Sequence, residues 1–132
     1  MSEAPGILHH MSLGVTDLER SAAFYDAALS ALGYVRVWVN ESAIGYGHPG
    51  GEDRLAIKLQ SGGVVTPSPR FHVALSAPSR SSVDAFYEAA LRNGGIDDGA
   101  PGPRPHYGEH YYAAFVVDPD GYRVEAVIDR AT

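Results

Sequence analysis

Apolar residues recur at Leu18, Ala22, Tyr25, Leu29 and Leu32, a spacing that brings all five to one side of a helix. Thr16 with Glu19 three residues later has the form of a capping box, and Gly33 suits a left-handed helix stop, so a helix is predicted over about 17–32. The pattern returns as Val83, Tyr87, Ala90 and Leu91. Ser79 to Ser82 supply N-caps after Pro78 and Gly94-Gly95 a stop, which predicts a second helix over about 79–94.

Ahead of each helix lies a short alternating stretch, Ile7 to Val15 and Phe71 to Ala77, as expected of half-buried strands. β-rich runs follow each helix: Tyr34 to Asn40 and Leu55 to Gln60, then Tyr111 to Val117 and Tyr122 to Val127. Asp118-Pro119-Asp120-Gly121 reads as the turn before the last of these. Ser61 to Pro69 reads as a linker and Asp97 to His110 as a long loop, expected to form a lid or rim over a binding site.

The two halves are copies. An offset of 62 residues places Ala23-Phe24-Tyr25-Asp26-Ala27-Ala28-Leu29 on Ala85-Phe86-Tyr87-Glu88-Ala89-Ala90-Leu91, and also His10 on His72, Leu13 on Leu75 and Gly33 on Gly95. Such internal symmetry means one supersecondary unit used twice: a first module over 7–60, a linker over 61–69 and a second module over 70–129. Tyr25 and Tyr87, duplicated at helical spacing, are assigned to the core.

Alternation also sorts the chemistry. If Met11, Leu13 and Val15 face the helix, then His10, Ser12 and Gly14 face away, and His72, Ala74 and Ser76 do the same in the second copy. Val124, Ala126 and Ile128 take the helix side of the final strand, which leaves Glu125 on the open face among apolar neighbours. A carboxylate there needs a partner, and Lys58 and Arg123 are alternatives to a metal. Were the two open faces to form one cup, two imidazoles and a carboxylate would line it, a set that suits non-haem iron and other divalent ions.

Composition narrows the function. The formal charge of −6, from 16 acidic against 10 basic residues, comes without a Lys/Arg cluster, so nucleic acid is not an expected partner. No apolar run has the length of a membrane span, and Met1 to Gly6 lacks the layout of a signal peptide, so a cytoplasmic location is expected. With no cysteine, chemistry must rest on His, carboxylates, Lys or Tyr.

Three segments together resemble the vicinal oxygen chelate superfamily of glyoxalases, extradiol dioxygenases and bleomycin-resistance proteins. They are His10-Met-Ser-Leu-Gly-Val-Thr-Asp17-Leu-Glu-Arg-Ser-Ala-Ala-Phe24-Tyr25, Phe71-His72-Val-Ala-Leu, and Asp118-Pro-Asp-Gly-Tyr-Arg-Val-Glu125. The resemblance spans roughly residues 7 to 129. It implies an α+β fold of two tandem βαβββ modules forming a curved, partly open barrel-like cup, with one helix per module outside. It also implies that His10, His72 and Glu125 hold a divalent metal ion (Fe, Mn, Ni or Zn), with Lys58 at the position where glyoxalases carry a fourth ligand, a Glu. Lys58 would then serve as a neutral base or bind a substrate carboxylate.

Around this set, Arg36 and Trp38, read as sharing a strand face, offer a cation and an aromatic surface to a planar ligand. Tyr46 and His48 near a turn, Arg104, Tyr107 and Tyr112 are further candidates for substrate binding. His106, with His110 nearby, is a candidate acid or base if the loop folds over the cup. The resemblance implies a metal-dependent enzyme of the lyase/isomerase or dioxygenase kind, acting on a small oxygen-bearing molecule. The alternatives are metal-free sequestration of a drug or metabolite, as in bleomycin-resistance proteins, and a degenerate site in which Lys58 neutralises Glu125. A homodimer is expected because open-cup modules leave apolar edges for a second subunit to cover.

Overall fold

The computed structural model describes residues 6–131. The first module runs β1 (Met11–Val15), α1 (Leu18–Ser30), β2 (Val35–Val39), β3 (Ala43–Gly47) and β4 (Leu55–Leu59). The second runs β5 (His72–Ser76), α2 (Arg80–Arg92), β6 (Ile96–Pro103), β7 (Tyr111–Val117) and β8 (Arg123–Asp129). Each module is thus a βαβββ unit whose strands form an open sheet, in the orders β1-β4-β3-β2 and β5-β8-β7-β6. The first and last strands of a module run parallel and all other pairs antiparallel.

One face of each sheet carries the core. Leu13, Val15, Leu55 and Ile57 in the first module, and Val124, Ala126 and Ile128 in the second, are buried against the helices. α1 and α2 in turn pack on each other. Tyr25 is fully buried and Tyr87 partly so against the same cluster. Ser12, His72, Ala74 and Ser76 lie on the other faces and are exposed. No helix among the described residues is long and apolar enough to cross a membrane.

Two strands were not legible. β3, Ala-Ile-Gly-Tyr-Gly, carries no strand signal, and its glycines are there for close approaches: a Cβ on Gly45 would collide with the Trp38 indole, and one on Gly47 with the carbonyl oxygen of Glu52. β6 replaces the first half of the predicted loop over Asp97 to His110. Its prolines and glycines are tolerated because it is an edge strand with bulges between Asp97 and Gly102. The capping box also shifts by one residue. Asp17 caps α1 by accepting from the Arg20 amide at 3.1 Å, while Thr16 is drawn away to another partner.

That partner is Asp120, in the turn before β8, and it joins the modules. Its carboxylate accepts from the Thr16 hydroxyl at 2.6 Å, Arg20 Nη2 at 2.9 Å and the Ser21 hydroxyl at 3.2 Å. Beside it Tyr25 donates to the buried Asp118, whose other oxygen accepts from the amides of Asp120 and Tyr122, both at 2.9 Å. Tyr122 donates back to the Gly14 carbonyl at 2.9 Å. The Asp-Pro-Asp-Gly motif therefore works as a joint between modules. Burial raises the Asp118 pKa, against the hydrogen bonds that lower it.

Candidate functional site

The open face of the second sheet holds a cleft of about 740 Å³. Its lining is drawn entirely from residues 69–125, with His72 and Ala74 of β5, Tyr111 and Phe115 of β7, and Arg123 and Glu125 of β8 among them. Register explains the grouping. Ala74 lies opposite Glu125 on one side and Phe115 lies opposite it on the other, so all three point the same way.

Glu125 is the centre of the cleft. It is only 2% exposed, and a carboxylate so placed requires donors. Its Oε1 lies 2.9 Å from His72 Nε2, and its Oε2 accepts from the Tyr111 hydroxyl. The Tyr111 pKa is raised by burial first, then by the hydrogen bond to Glu125 and the charge of that carboxylate. Tyr111 escaped the sequence reading, which chose its neighbour Tyr112. The signal was parity, since residue 111 shares a face with Phe115 and hence with Glu125. Tyr112 faces the helix side instead, donating to Asp84 at 2.7 Å with Arg80 over its ring.

Tyr107 lines the cleft, whereas Arg104 and His106 line a smaller hollow beside it that shares Asp98, Tyr107 and Phe115. The Tyr107 ring packs, tilted, 5.2 Å from the Tyr111 ring and 4.1 Å from the His106 ring. Arg104 lies 5.3 Å above the Phe115 ring, with Nη2 donating to the Ala100 carbonyl. His110 is exposed beside Glu109, at 3.6 Å.

The first module's candidates lie elsewhere. His10 is exposed immediately before β1, its Nδ1 2.9 Å from that of His9. Among the described residues no three His, Asp or Glu side chains are grouped to hold a metal ion, so His72 and Glu125 meet within one chain and His10 does not join them. Tyr46 is 1% exposed and donates to Asp26 at 2.7 Å, so it belongs to the core rather than the mouth of a cup. His48 is exposed and packs edge-on to Tyr34. Arg36 and Trp38 do not share a face, because a bulge lies between them. Arg36 pairs with Tyr46 and binds Asp26 of α1 through Nε and Nη2, whereas Trp38 pairs with Gly45 and covers it.

Register also corrects Lys58. Ser12 pairs with Ala56 as Ala74 pairs with Glu125, and Gly14 pairs with Lys58 as Ser76 pairs with Val127. The counterpart of Glu125 is therefore Ala56. Lys58, two residues further on, is exposed on the same face.

The pair formed by His72 and Glu125 has the spacing of two adjacent ligands on one ion, since bonds of roughly 2.0–2.2 Å at neighbouring positions put the ligand atoms about 3 Å apart. Tyr111 would orient the carboxylate from behind, the usual place for a supporting hydrogen bond. The donor chemistry of this imidazole and carboxylate fits a divalent metal.

Two tandem βαβββ units, each with an open sheet face, define the vicinal oxygen chelate class of fold. The chain belongs to the Glyoxalase/Bleomycin resistance protein/Dioxygenase superfamily, whose family model matches residues 7–126. Among solved structures, it is similar to a glyoxalase/bleomycin resistance protein from Albidiferax ferrireducens T118, with 34% identity, a TM-score of 0.80, and 92% of this chain and 98% of that one covered. A glyoxalase-related enzyme from Fulvimarina pelagi shares 26% identity at a TM-score of 0.69, over 94% and 88% of the two chains. The bleomycin resistance determinant encoded on the transposon Tn5 shares the fold, with 22% identity, a TM-score of 0.60, and 91% and 95% coverage. No curated protein matches the chain.

Proposed function

We propose that the protein is a homodimeric, divalent-metal-dependent enzyme in which each cleft is completed by the first module of the opposite chain. The partner subunit's His10 would join His72 and Glu125 as the third ligand. The observation that carries this reading is the buried Glu125 in contact with His72, in a cleft that no residue of the first module lines. Exposed apolar side chains such as Val35, Val39, Leu59 and Ile96 give a second chain something to cover.

A bound ion would polarise the oxygens of a small chelated molecule and stabilise negative charge developing on them. The chain's own residues supply the rest. Tyr111 holds Glu125 in one orientation, Phe115 and Tyr107 wall the cleft, and His106, in the hollow adjoining it, would exchange protons with a ligand that extends there. With Ala56 where a fourth ligand would stand, the first module brings no carboxylate to that position to shuttle a proton beside a carbonyl. The reading therefore favours three-ligand chemistry of the dioxygenase kind over isomerisation. Lys58 enters it as a cation on the face that the first module contributes, rather than as a replaced ligand.

Metal analysis of protein purified without chelator tests this. The account expects about one ion per chain in the wild type and little in His72→Ala, and equal, negligible metal in both would end it.

A second reading is metal-free sequestration, favoured by one observation. Both oxygens of Glu125 already have partners without an ion. Ligand affinity that survives a chelator and both the His10→Ala and His72→Ala changes would support it.

A further inference from the structure

The charged groups of the cleft differ in how far they are committed. Glu125 is held by His72 and Tyr111, and Asp98 by Arg123, whose Nη1 lies 3.1 and 2.9 Å from its two oxygens. Both carboxylates of the cleft thus already have partners within the chain, which leaves no unpaired acid in its lining to recruit a cationic organic ligand. Arg70 also lines the cleft, and among the described residues its guanidinium makes no ion pair and only its backbone amide is hydrogen-bonded, to the Ser68 hydroxyl. In a chain of net charge −6, an uncommitted cation at the edge of a cleft selects for acid groups.

The walls are aromatic. Tyr107 and Tyr111 stand 5.2 Å apart with Phe115 on the same face, and Phe71, next to Arg70 in sequence, is braced at 5.5 Å by Tyr122. Glu125 on β8 lies between them, and Ala74 beside it on β5 adds only a methyl group to this face. Flat aromatic walls fit a planar ring better than a branched aliphatic chain.

We infer that this cleft takes a planar aromatic acid, with its ring between Phe71 and the wall formed by Tyr107, Tyr111 and Phe115, and its acid group on Arg70. The inference rests on the reading that the second-module cleft is the ligand site, and it holds with or without the metal. Beyond Phe115 a smaller hollow of about 320 Å³, bordered by Arg104 and His106 and sharing Asp98, Tyr107 and Phe115 with the main cleft, gives room for a substituent on the far side of the ring.

Calorimetric titration with naphthoate, naphthamide and cyclohexanecarboxylate, in the presence of chelator and again after metal loading, tests the assignment. Naphthoate is expected to bind best under both conditions. Arg70→Gln is expected to weaken it roughly tenfold, the size of one charged hydrogen bond, while leaving naphthamide unchanged, and Arg70→Lys to recover part of the loss. Failure of naphthoate to bind, equal binding of naphthoate and naphthamide, equal binding of the saturated acid, or indifference to Arg70→Gln would each overturn it. Metal content measured on the same samples reports separately on the metal reading, because Arg70 is not among the proposed ligands.

Discussion

Ala56 and Glu125 occupy the same place in the two modules, each lying across from the corresponding residue of its module's first strand, Ser12 for one and Ala74 for the other. The duplication has kept a histidine in both copies and a carboxylate in only one. Functional polarity follows: the second module carries the buried acid and its cleft, and the first is left with His10 and an alanine.

Ala56 is 1% exposed, and the first module offers no tyrosine in the place of Tyr111: Gly45 lies opposite Ala56 as Phe115 lies opposite Glu125, and four residues before Gly45, where the second module has Tyr111, the chain carries Glu41. Ala56→Glu is therefore expected to destabilise the metal-free protein by about 2 kcal/mol, the cost of a buried polar group without donors. Urea unfolding measures this, and a neutral result would mean that the face is more open than its burial indicates.

Tyr111→Phe removes one donor from Glu125 and leaves Oε2 unsatisfied inside the protein. The expected loss is about 1–3 kcal/mol, and Tyr111→Phe combined with Glu125→Gln should lose less than the sum of the two single changes. A double-mutant cycle in urea checks the coupling, and strict additivity would show that the hydrogen bond contributes nothing.

The parts of the fold that could be read from sequence are those in which one side chain in two or four must be apolar. The helices, β1, β4, β5, β7 and β8 all declare themselves this way, as do the outward faces of Ser12, Ala74 and Glu125. β3 and β6 do not, because their glycines and prolines answer to Trp38, to the Glu52 carbonyl and to an exposed edge rather than to a buried face. The site was legible as separate residues and not as an arrangement. The modules repeat at 62 residues in the helices but at 69 between Ala56 and Glu125, so no single offset finds the counterpart of Glu125, and only strand pairing passes over Lys58 to Ala56. Arg36 was misplaced for a similar reason: alternation was carried through a bulge that nothing in Val-Arg-Val-Trp-Val announces.

Asp120 accepts from Thr16, Arg20 and Ser21 across the joint between modules. Asp120→Ala should cost about 2 kcal/mol, discounted because Arg20 is half exposed and water screens its charge. Thermal and urea unfolding should show the loss, while metal content at low temperature stays at the wild-type level, since the joint lies away from the cleft. Loss of metal with unchanged stability would contradict the assignment.

Asp118 sets a pH dependence. Its folded-state pKa is raised above 3.8, chiefly by burial, so the folded chain holds the proton more tightly than the unfolded one. Its contribution to stability is therefore greatest in acid and declines as pH rises from near 3.8 through the folded value. Asp118→Asn cannot titrate, so the stability of the wild type relative to this variant should fall with pH across that window and then level off. Urea midpoints measured across the acid range for both proteins test this, and a difference that grows with pH would reverse the sign.

The central claim is that each cleft is completed across a dimer, and mixing two defective chains tests it most directly. A heterodimer of one His10→Ala chain and one His72→Ala chain, isolated with two different affinity tags, would pair the intact first module of one chain with the intact second module of the other. The account predicts one bound metal ion per heterodimer and almost none in either mutant homodimer. A heterodimer as empty as its parents, beside a wild type that holds metal, would show that His10 and His72 must come from the same chain.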